Sequence, residues 1–110
     1  MTHIRKKILC VCEGGFTRSV CLAMHLKHTN RGHDALAASW RFNDPETLEI
    51  LCAWAEMIVI MQPNMILKIP PVHRGKTKCC DVGPDNYGHS LVPELVKKVS
   101  DWSRAEGLTD

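Results

Sequence analysis

The chain has 110 residues, of which 45% are hydrophobic and 24% are charged. These fractions are typical of a globular domain, and they exclude a disordered chain, a collagen and a simple coiled coil. The 14 basic and 12 acidic residues leave a formal charge of +2, which is too balanced to predict nucleic-acid binding. No apolar run approaches the roughly 18 residues that a membrane span needs. We therefore expect a single domain over residues 1–110 that binds neither nucleic acid nor membranes.

Short apolar runs alternate with helical patterns along the whole chain. Continuous apolar runs are typical of buried parallel strands, and apolar residues at helical spacing predict helices between them. In chain order the sequence predicts a strand at 8–12, a helix at 19–28, a strand at 34–39, a helix from 45, a strand at 57–61, a short helix at 63–69, a strand within 76–81 and a last helix from 93 that ends before 107. This alternation predicts a parallel sheet with helices on both faces.

The cysteines are predicted to be reduced. They fall inside apolar or helical segments, and the two pairs that are close in sequence are poorly spaced for a disulfide. We expect them to pack mostly as small hydrophobic residues in a reducing, cytoplasmic compartment. The six are Cys10, Cys12, Cys21, Cys52, Cys79 and Cys80.

The turn after the first predicted strand has the features of an anion site. In parallel sheets ligands bind beyond the carboxyl ends of the strands. Two glycines allow this turn to curl tightly, and without a proline every backbone N–H is available at the start of the following helix, where anions bind. We expect the phosphate-binding residues to be Glu13, Gly14, Gly15, Phe16, Thr17, Arg18 and Ser19.

Two side chains of this turn add chemistry to the anion site. Arg18 can close the site because its planar guanidinium binds an oxyanion through two hydrogen bonds. Cys12 opens the turn, where the amides, the helix dipole and Arg18 would all favour a thiolate. Ser19 could donate a hydrogen bond to that sulfur. A thiolate beneath a bound phosphate would be an activated nucleophile.

The Cys-x5-Arg-Ser turn and three later segments resemble the low-molecular-weight protein tyrosine phosphatases. Residues 7–23 are similar to the family signature, whose loop commonly reads Cys-Leu-Gly-Asn-Ile-Cys-Arg-Ser. The later segments are residues 39–43, 51–61 and 84–88. The resemblance spans residues 5–105 and is closest to a short bacterial or phage branch. It implies a single-domain α/β fold of three αβα layers, Rossmann-like and of the phosphatase I type, with a four-stranded parallel sheet in the order 2-1-3-4.

The resemblance also implies a mechanism and a substrate class. Cys12 would attack the phosphorus of a phosphotyrosine protein or a small aryl phosphate, and Arg18 with the loop amides would bind the phosphate oxygens. Asp85 is the expected general acid, because Pro-Asp-x-Tyr-Gly matches the family's acid loop best, and Asp81 is the second choice. Trp40 and Tyr87 would form the walls beside the aromatic ring of the substrate.

The resemblance implies neither a metal nor another cofactor. Cys21, His25 and His28 share one face of the first predicted helix, which is a spacing that zinc sites use. No fourth ligand lies at a useful spacing, so the sequence favours a packed helix there. Thr17 stands where many family members have a second cysteine in the loop, so a disulfide within this loop is impossible.

Two other functions share the same loop. Thioredoxin-coupled arsenate reductases have this fold and the Cys-x5-Arg-Ser sequence, but they need two further cysteines able to pass a disulfide along. Adjacent Cys79 and Cys80 are poorly arranged for that relay, and the Pro-Asp-x-Tyr-Gly segment is not part of it. A non-catalytic module that binds phosphate or phosphopeptides is the other alternative. Hydrolysis of an aryl phosphate, measured beside thioredoxin-dependent arsenate reduction, separates the three.

Overall fold

The computed structural model describes residues 5–14, 17–29 and 31–110. It confirms the four predicted strands and the long helices, with bounds that differ by one or a few residues. In chain order the elements are β1 Lys7–Cys12, α1 Arg18–Lys27, β2 Asp34–Ser39, α2 Pro45–Trp54, β3 Met57–Ile60, two 3-10 helices Pro63–Lys68 and Pro71–Lys76, β4 Thr77–Cys79 and α3 Pro93–Ala105.

The connection between β3 and β4 differs from the sequence prediction. The short helix expected at 63–69 is the first of two 3-10 helices, and the second begins at Pro71, where no element was predicted. Pro70 and Pro71 explain the interruption, because proline has no backbone N–H and cannot continue a helical hydrogen-bond ladder. The connection between β3 and β4 is therefore made of two short turns of 3-10 helix.

The four strands form one parallel sheet in the order β2-β1-β3-β4, which confirms the expected topology. β1 is central, and its residues 8–12 are all buried, as a continuous apolar run predicts. The crossovers from β1 to β2 and from β2 to β3 run in opposite directions along the sheet. Since parallel crossovers are right-handed, α1 and α2 lie on opposite faces, and α3 packs beside α1. The result is a three-layer αβα domain.

Local signals in the sequence explain two helix ends. α2 begins after Asp44, whose Oδ1 accepts a hydrogen bond of 2.8 Å from the backbone N–H of Thr47, and Pro45 occupies the first helical position. α3 is followed by Gly107 at a φ of 74°, a left-handed conformation that glycine adopts readily. These ends were predicted from the sequence.

The carboxyl ends of the strands meet at one edge of the sheet. Cys12 pairs in register with Ser39, and Val11 pairs with Ile60. The turn after β1, the loop after β2 and the segment after β3 therefore share this edge, where ligands of such sheets bind. Across the described ranges, no helix has both the length and the apolar character needed to cross a bilayer. No disulfide joins any of the six cysteines, all of which lie in the described ranges.

Candidate active site

The sulfur of Cys12 lies next to the hydroxyl of Ser19. Cys12 is the last residue of β1 and Ser19 is the second residue of α1. Their Sγ and Oγ atoms are 3.0 Å apart, and both residues are buried. Either atom can donate this hydrogen bond, but when Cys12 is a thiolate only the serine hydroxyl has a proton to give. The contact therefore stabilises negative charge on the sulfur.

Arg18 is buried at the start of α1 with part of its guanidinium unpaired. Only 3% of the residue is exposed. Its Nη1 donates to Oε1 of Gln62 at 2.5 Å and to the carbonyl of Gly83 at 3.0 Å. Its Nε is buried and has no hydrogen-bond partner among the described residues. An unsatisfied buried donor costs about 1–3 kcal/mol, and a bound oxyanion would remove that cost.

The charge of Arg18 is also not balanced by a neighbouring acid. Both groups that its Nη1 contacts, an amide oxygen and a carbonyl oxygen, are neutral. Within the described residues it makes no ion pair. A buried cation without a counter-charge is unfavourable. Its position six residues after Cys12, at a helix N-terminus, makes a bound anion the natural counter-charge.

The rest of the predicted phosphate loop is only partly described. Gly15 and Phe16 lie outside the described residues. The carboxylate of Glu13 is exposed and lies 3.5 Å from Nη1 of Arg41. Thr17 precedes α1, and its carbonyl accepts the N–H of Cys21 at 2.9 Å. Gly14 is half-buried beside the end of β1.

Ser39 ties the loop after β2 to the turn after β1. Its hydroxyl donates to the carbonyl of Glu13 and accepts the N–H groups of Arg41 at 3.0 Å and Phe42 at 2.7 Å. Next to it, the N–H of Trp40 donates to the carbonyl of Cys12 at 3.2 Å. These bonds hold the two loops together at the sheet edge.

Sequence reasoning assigned no role to the side chains of Ser39 and Gln62. The signal that could have found them is their position, because each ends or follows a predicted strand at the edge where the Cys12 turn lies. Their contacts with Glu13 and Arg18 nevertheless depend on strand order, which periodicity alone does not reveal.

The predicted acid loop begins beside Arg18. Gly83, whose carbonyl contacts Arg18, precedes Asp85 by two residues, so their Cα atoms are at most about 7 Å apart. Asp85 is exposed, and its carboxylate makes no hydrogen bond with the described residues. The carboxylate of Asp81 instead accepts the N–H of Gly83 at 3.1 Å and shapes the turn.

The two predicted wall residues occupy different surroundings. The hydroxyl of Tyr87 donates to the carbonyl of Val82, and the Nζ of Lys98 on α3 lies 2.9 Å from that hydroxyl. Tyr87 therefore closes the acid loop on itself and fastens it to α3. Trp40 is half-buried against the core, with the Nζ of Lys68 4.5 Å from its ring centroid.

Burial separates five of the cysteines from nucleophilic chemistry. Loss of hydration raises the pKa of Cys21 and of Cys52 to about 11, and that of Cys80 to about 12. Burial also raises the pKa of Cys10 and of Cys79. These five side chains are therefore protonated thiols at neutral pH.

The three side chains of the first helix that have a spacing used in zinc sites line a pocket in the structure. Cys21, His25 and His28 surround an apolar pocket of about 210 Å³ between α1, Leu91 and Val96. Burial, with a contribution from Arg104, lowers the pKa of His25. In the described part of the chain, no three His, Cys, Asp or Glu side chains are grouped to hold a metal ion.

Several solved structures have the same fold as this chain. Wzb from Vibrio vulnificus in complex with benzylphosphonate superposes with a TM-score of 0.71 at 19% identity, over 93% of this chain and 99% of that one. The tyrosine phosphatase AmsI from Erwinia amylovora superposes with a TM-score of 0.68 at 19% identity, over 93% of each chain. Wzb from Escherichia coli K30 with phosphate gives 0.63 at 17%, over 93% and 99%.

This chain has the fold of those tyrosine phosphatases. The superpositions cover nearly the whole of each chain, so the likeness extends over the entire αβα domain. It confirms at the level of the fold the resemblance seen in the sequence. No protein-family model matches the chain, and no curated protein matches it by sequence.

Proposed function

We propose that this protein is a cysteine-dependent phosphatase that hydrolyses phosphotyrosine or aryl phosphate monoesters. The observation that carries the proposal is the pairing of Cys12 Sγ with Ser19 Oγ at 3.0 Å beside the buried, uncompensated Arg18. Two of the structures with the same fold bind benzylphosphonate and phosphate, which supports an aryl phosphate as the ligand. We also infer a cytoplasmic location, because five of the six cysteines are buried and none is paired in a disulfide.

In the first step, the thiolate of Cys12 attacks the phosphorus in line with the ester oxygen. A sulfur–phosphorus bond forms as the phosphorus–oxygen bond to the leaving phenol breaks. Arg18 and backbone N–H groups of the loop bind the three remaining oxygens, whose charge must be held throughout the transfer. Gln62 and Gly83 hold Nη1 of Arg18, which leaves Nε to face an oxygen.

Asp85 is proposed as the general acid, and it acts twice. It gives its proton to the leaving oxygen in the first step, which matters because a phenolate leaves more easily when protonated. Its carboxylate then takes a proton from the water that attacks the phosphocysteine. The sulfur–phosphorus bond breaks, inorganic phosphate is released and the Cys12 thiolate is restored. The connection of Gly83 to Arg18 and the exposure of Asp85 support this role.

The test is hydrolysis of p-nitrophenyl phosphate and of a phosphotyrosine peptide by the purified protein. We expect turnover of both, and a phosphocysteine at Cys12 when the reaction is quenched with acid and analysed by mass spectrometry. Arsenate reduction with thioredoxin is measured on the same preparation. Reduction of arsenate without ester hydrolysis would replace the proposal by a redox function, and phosphate binding without either reaction would leave a binding module.

A further inference from the structure

A groove opens beside Trp40, next to the proposed anion site. Its volume is about 270 Å³. Its lining is largely apolar and includes Leu48, Ile69 and three prolines, while the cations Lys68 and Arg74 also border it. Trp40, the expected wall for the substrate's aromatic ring, belongs to this lining, and the remaining lining residues extend beyond it.

Both sides of the groove are attached to the proposed active site. On one side, the N–H of Trp40 donates to the carbonyl of Cys12 at 3.2 Å. On the other, Gln62 holds Arg18 and directly precedes the 3-10 helix Pro63–Lys68. A 3-10 helix rises about 2 Å per residue, so Lys68 lies about 12 Å along the chain direction from Gln62. A polypeptide with a phosphate in the anion site would pass close to the groove.

The two cations of the groove have no acidic partner in the described part of the chain. The Nζ of Lys68 lies over the ring of Trp40, and Arg74 donates from Nε to the carbonyl of Ile69 at 2.9 Å. Neither forms an ion pair with a described residue. An anion entering the groove would therefore meet two uncompensated positive charges.

Three acidic residues, Asp44, Glu46 and Glu49, lie at the start of α2 or on it, and two of them already have partners. Asp44 caps the helix through the N–H of Thr47 at 2.8 Å. Oε1 of Glu49 lies 2.7 Å from Nε2 of His73. None of the three acids lines the groove, so they do not neutralise its cations at contact distance.

Trp40 adds an unused donor to the same place. Its Nε1 is buried and has no hydrogen-bond partner among the described residues. Buried polar groups without a partner are rare in folded proteins and often mark a place for a ligand or water. The residue belongs to the lining of the groove, so this unpaired donor lies close to the groove.

We propose that this groove is a subsite for an acidic side chain of the phosphotyrosine-bearing substrate. The inference rests on the proposed phosphatase function and narrows its substrate to phosphotyrosine peptides with a nearby glutamate or aspartate. The aliphatic part of that side chain contacts the apolar lining, and its carboxylate lies between Lys68 and Arg74. Because Lys68 lies about 12 Å from Gln62 and an extended peptide advances about 3.3 Å per residue, the acidic residue is about three to four positions from the phosphotyrosine.

The experiment compares matched phosphotyrosine peptides that carry glutamate or glutamine three residues before or after the phosphotyrosine. We expect kcat/KM to be about five- to tenfold higher for a glutamate peptide, and this ratio to fall as salt is added, because exposed charges are screened. Lys68→Gln should bring the ratio of glutamate to glutamine peptides below about two. Lys68→Glu should reverse the preference, so that a third peptide with lysine at the same position becomes the better substrate. Equal rates for glutamate and glutamine peptides at both positions would overturn the proposal.

A control variant and a second substrate distinguish a failure of the proposed subsite from a failure of the proposed phosphatase function. Lys97→Gln removes an exposed lysine of α3 that pairs with Asp101, and it should leave the glutamate preference unchanged. Hydrolysis of p-nitrophenyl phosphate, which has no acidic side chain for Lys68 to bind, should be the same in all these variants. If this ester is hydrolysed but Lys68→Gln keeps the preference, the subsite is refuted. If no ester is hydrolysed, the phosphatase proposal fails, and calorimetric binding of the same peptides to Cys12→Ser still decides the subsite.

Discussion

Nη1 of Arg18 donates a hydrogen bond of 3.0 Å to the carbonyl of Gly83, although 65 positions separate the two residues. Gly83 has a φ of 76°, and the turn at this residue is closed by the carboxylate of Asp81. A left-handed conformation favours glycine at this point. One guanidinium thus connects the start of α1 to the loop that carries Asp85. This contact keeps the proposed anion site and the proposed acid close to each other.

Arg18→Lys should lower kcat for p-nitrophenyl phosphate by more than about tenfold, which corresponds to about 1.4 kcal/mol of transition-state binding. A lysine ammonium is a single point charge and cannot hold Gln62 and Gly83 while also presenting a second donor to the phosphate. Steady-state kinetics measure the change. Arg104→Lys, an exposed position on α3, is the control and should keep full activity. A smaller loss of kcat in Arg18→Lys would contradict the proposed role of Arg18 in binding the phosphate oxygens of the transition state.

Cys12→Ser should abolish turnover while phosphate or tungstate still binds. In the proposed mechanism Arg18 and backbone N–H groups bind the anion, whereas only the thiolate forms the covalent intermediate. Calorimetry measures binding, and ester hydrolysis measures turnover. Cys79→Ser, which changes a half-buried cysteine at the end of β4, should retain activity. Hydrolysis by the Cys12→Ser protein at the original rate would rule out the phosphocysteine mechanism.

Asp85→Asn should slow phosphotyrosine hydrolysis by about 10²–10⁴ and an activated aryl ester much less, because an activated phenolate leaves without a proton. Asp81→Asn should not show this dependence on the leaving group, since its carboxylate closes the turn at Gly83. The measurement is kcat/KM over a series of phenols of increasing pKa. The reverse pattern would transfer the role of acid to Asp81.

Tyr87→Phe should weaken catalysis through the acid loop. The hydroxyl that is lost donates to the carbonyl of Val82 and lies 2.9 Å from the Nζ of Lys98. Without these bonds the loop that carries Asp85 is held less firmly, and we expect kcat for poor leaving groups to fall about three- to tenfold. Lys98→Met should cause a smaller change in the same direction. If both variants alter only KM, Tyr87 acts as a wall for the substrate ring rather than as an anchor of the loop.

Peroxide at pH 7 should oxidise Cys12 first and abolish the proposed phosphatase activity. A thiol whose pKa is about 11, as for Cys21 and Cys52, is a thiolate in only about one molecule in ten thousand at this pH. A raised pKa means that these thiolates appear only as the pH rises towards 11. Recovery with dithiothreitol should be incomplete after strong oxidation, because Thr17 cannot form a disulfide with Cys12. Mass spectrometry that finds Cys12 joined to Cys10 or Cys80 would contradict this expectation.

Most of the fold could be predicted from the sequence because its signals are local. The apolar run at 8–12 has the length of a buried strand and is short for a helix, and Asp44 with Pro45 is a local signal for a helix start. The candidate nucleophile and arginine were equally accessible, since Cys12, Arg18 and Ser19 belong to one turn between a strand and a helix. Their spacing along the chain already brings them together.

Tertiary structure alone decided which other groups meet that turn. Gln62 lies 44 positions from Arg18 and Gly83 lies 65 positions away, and their contacts exist because β3 and β4 follow β1 in the sheet. The groove between Trp40 and Lys68 likewise joins the loop after β2 to the 3-10 helix after β3. Periodicity reports which face of an element is buried, but it contains no information on which element lies opposite. That arrangement is set by the packing of the whole sheet, so these partners could be assigned only once the strands were in place.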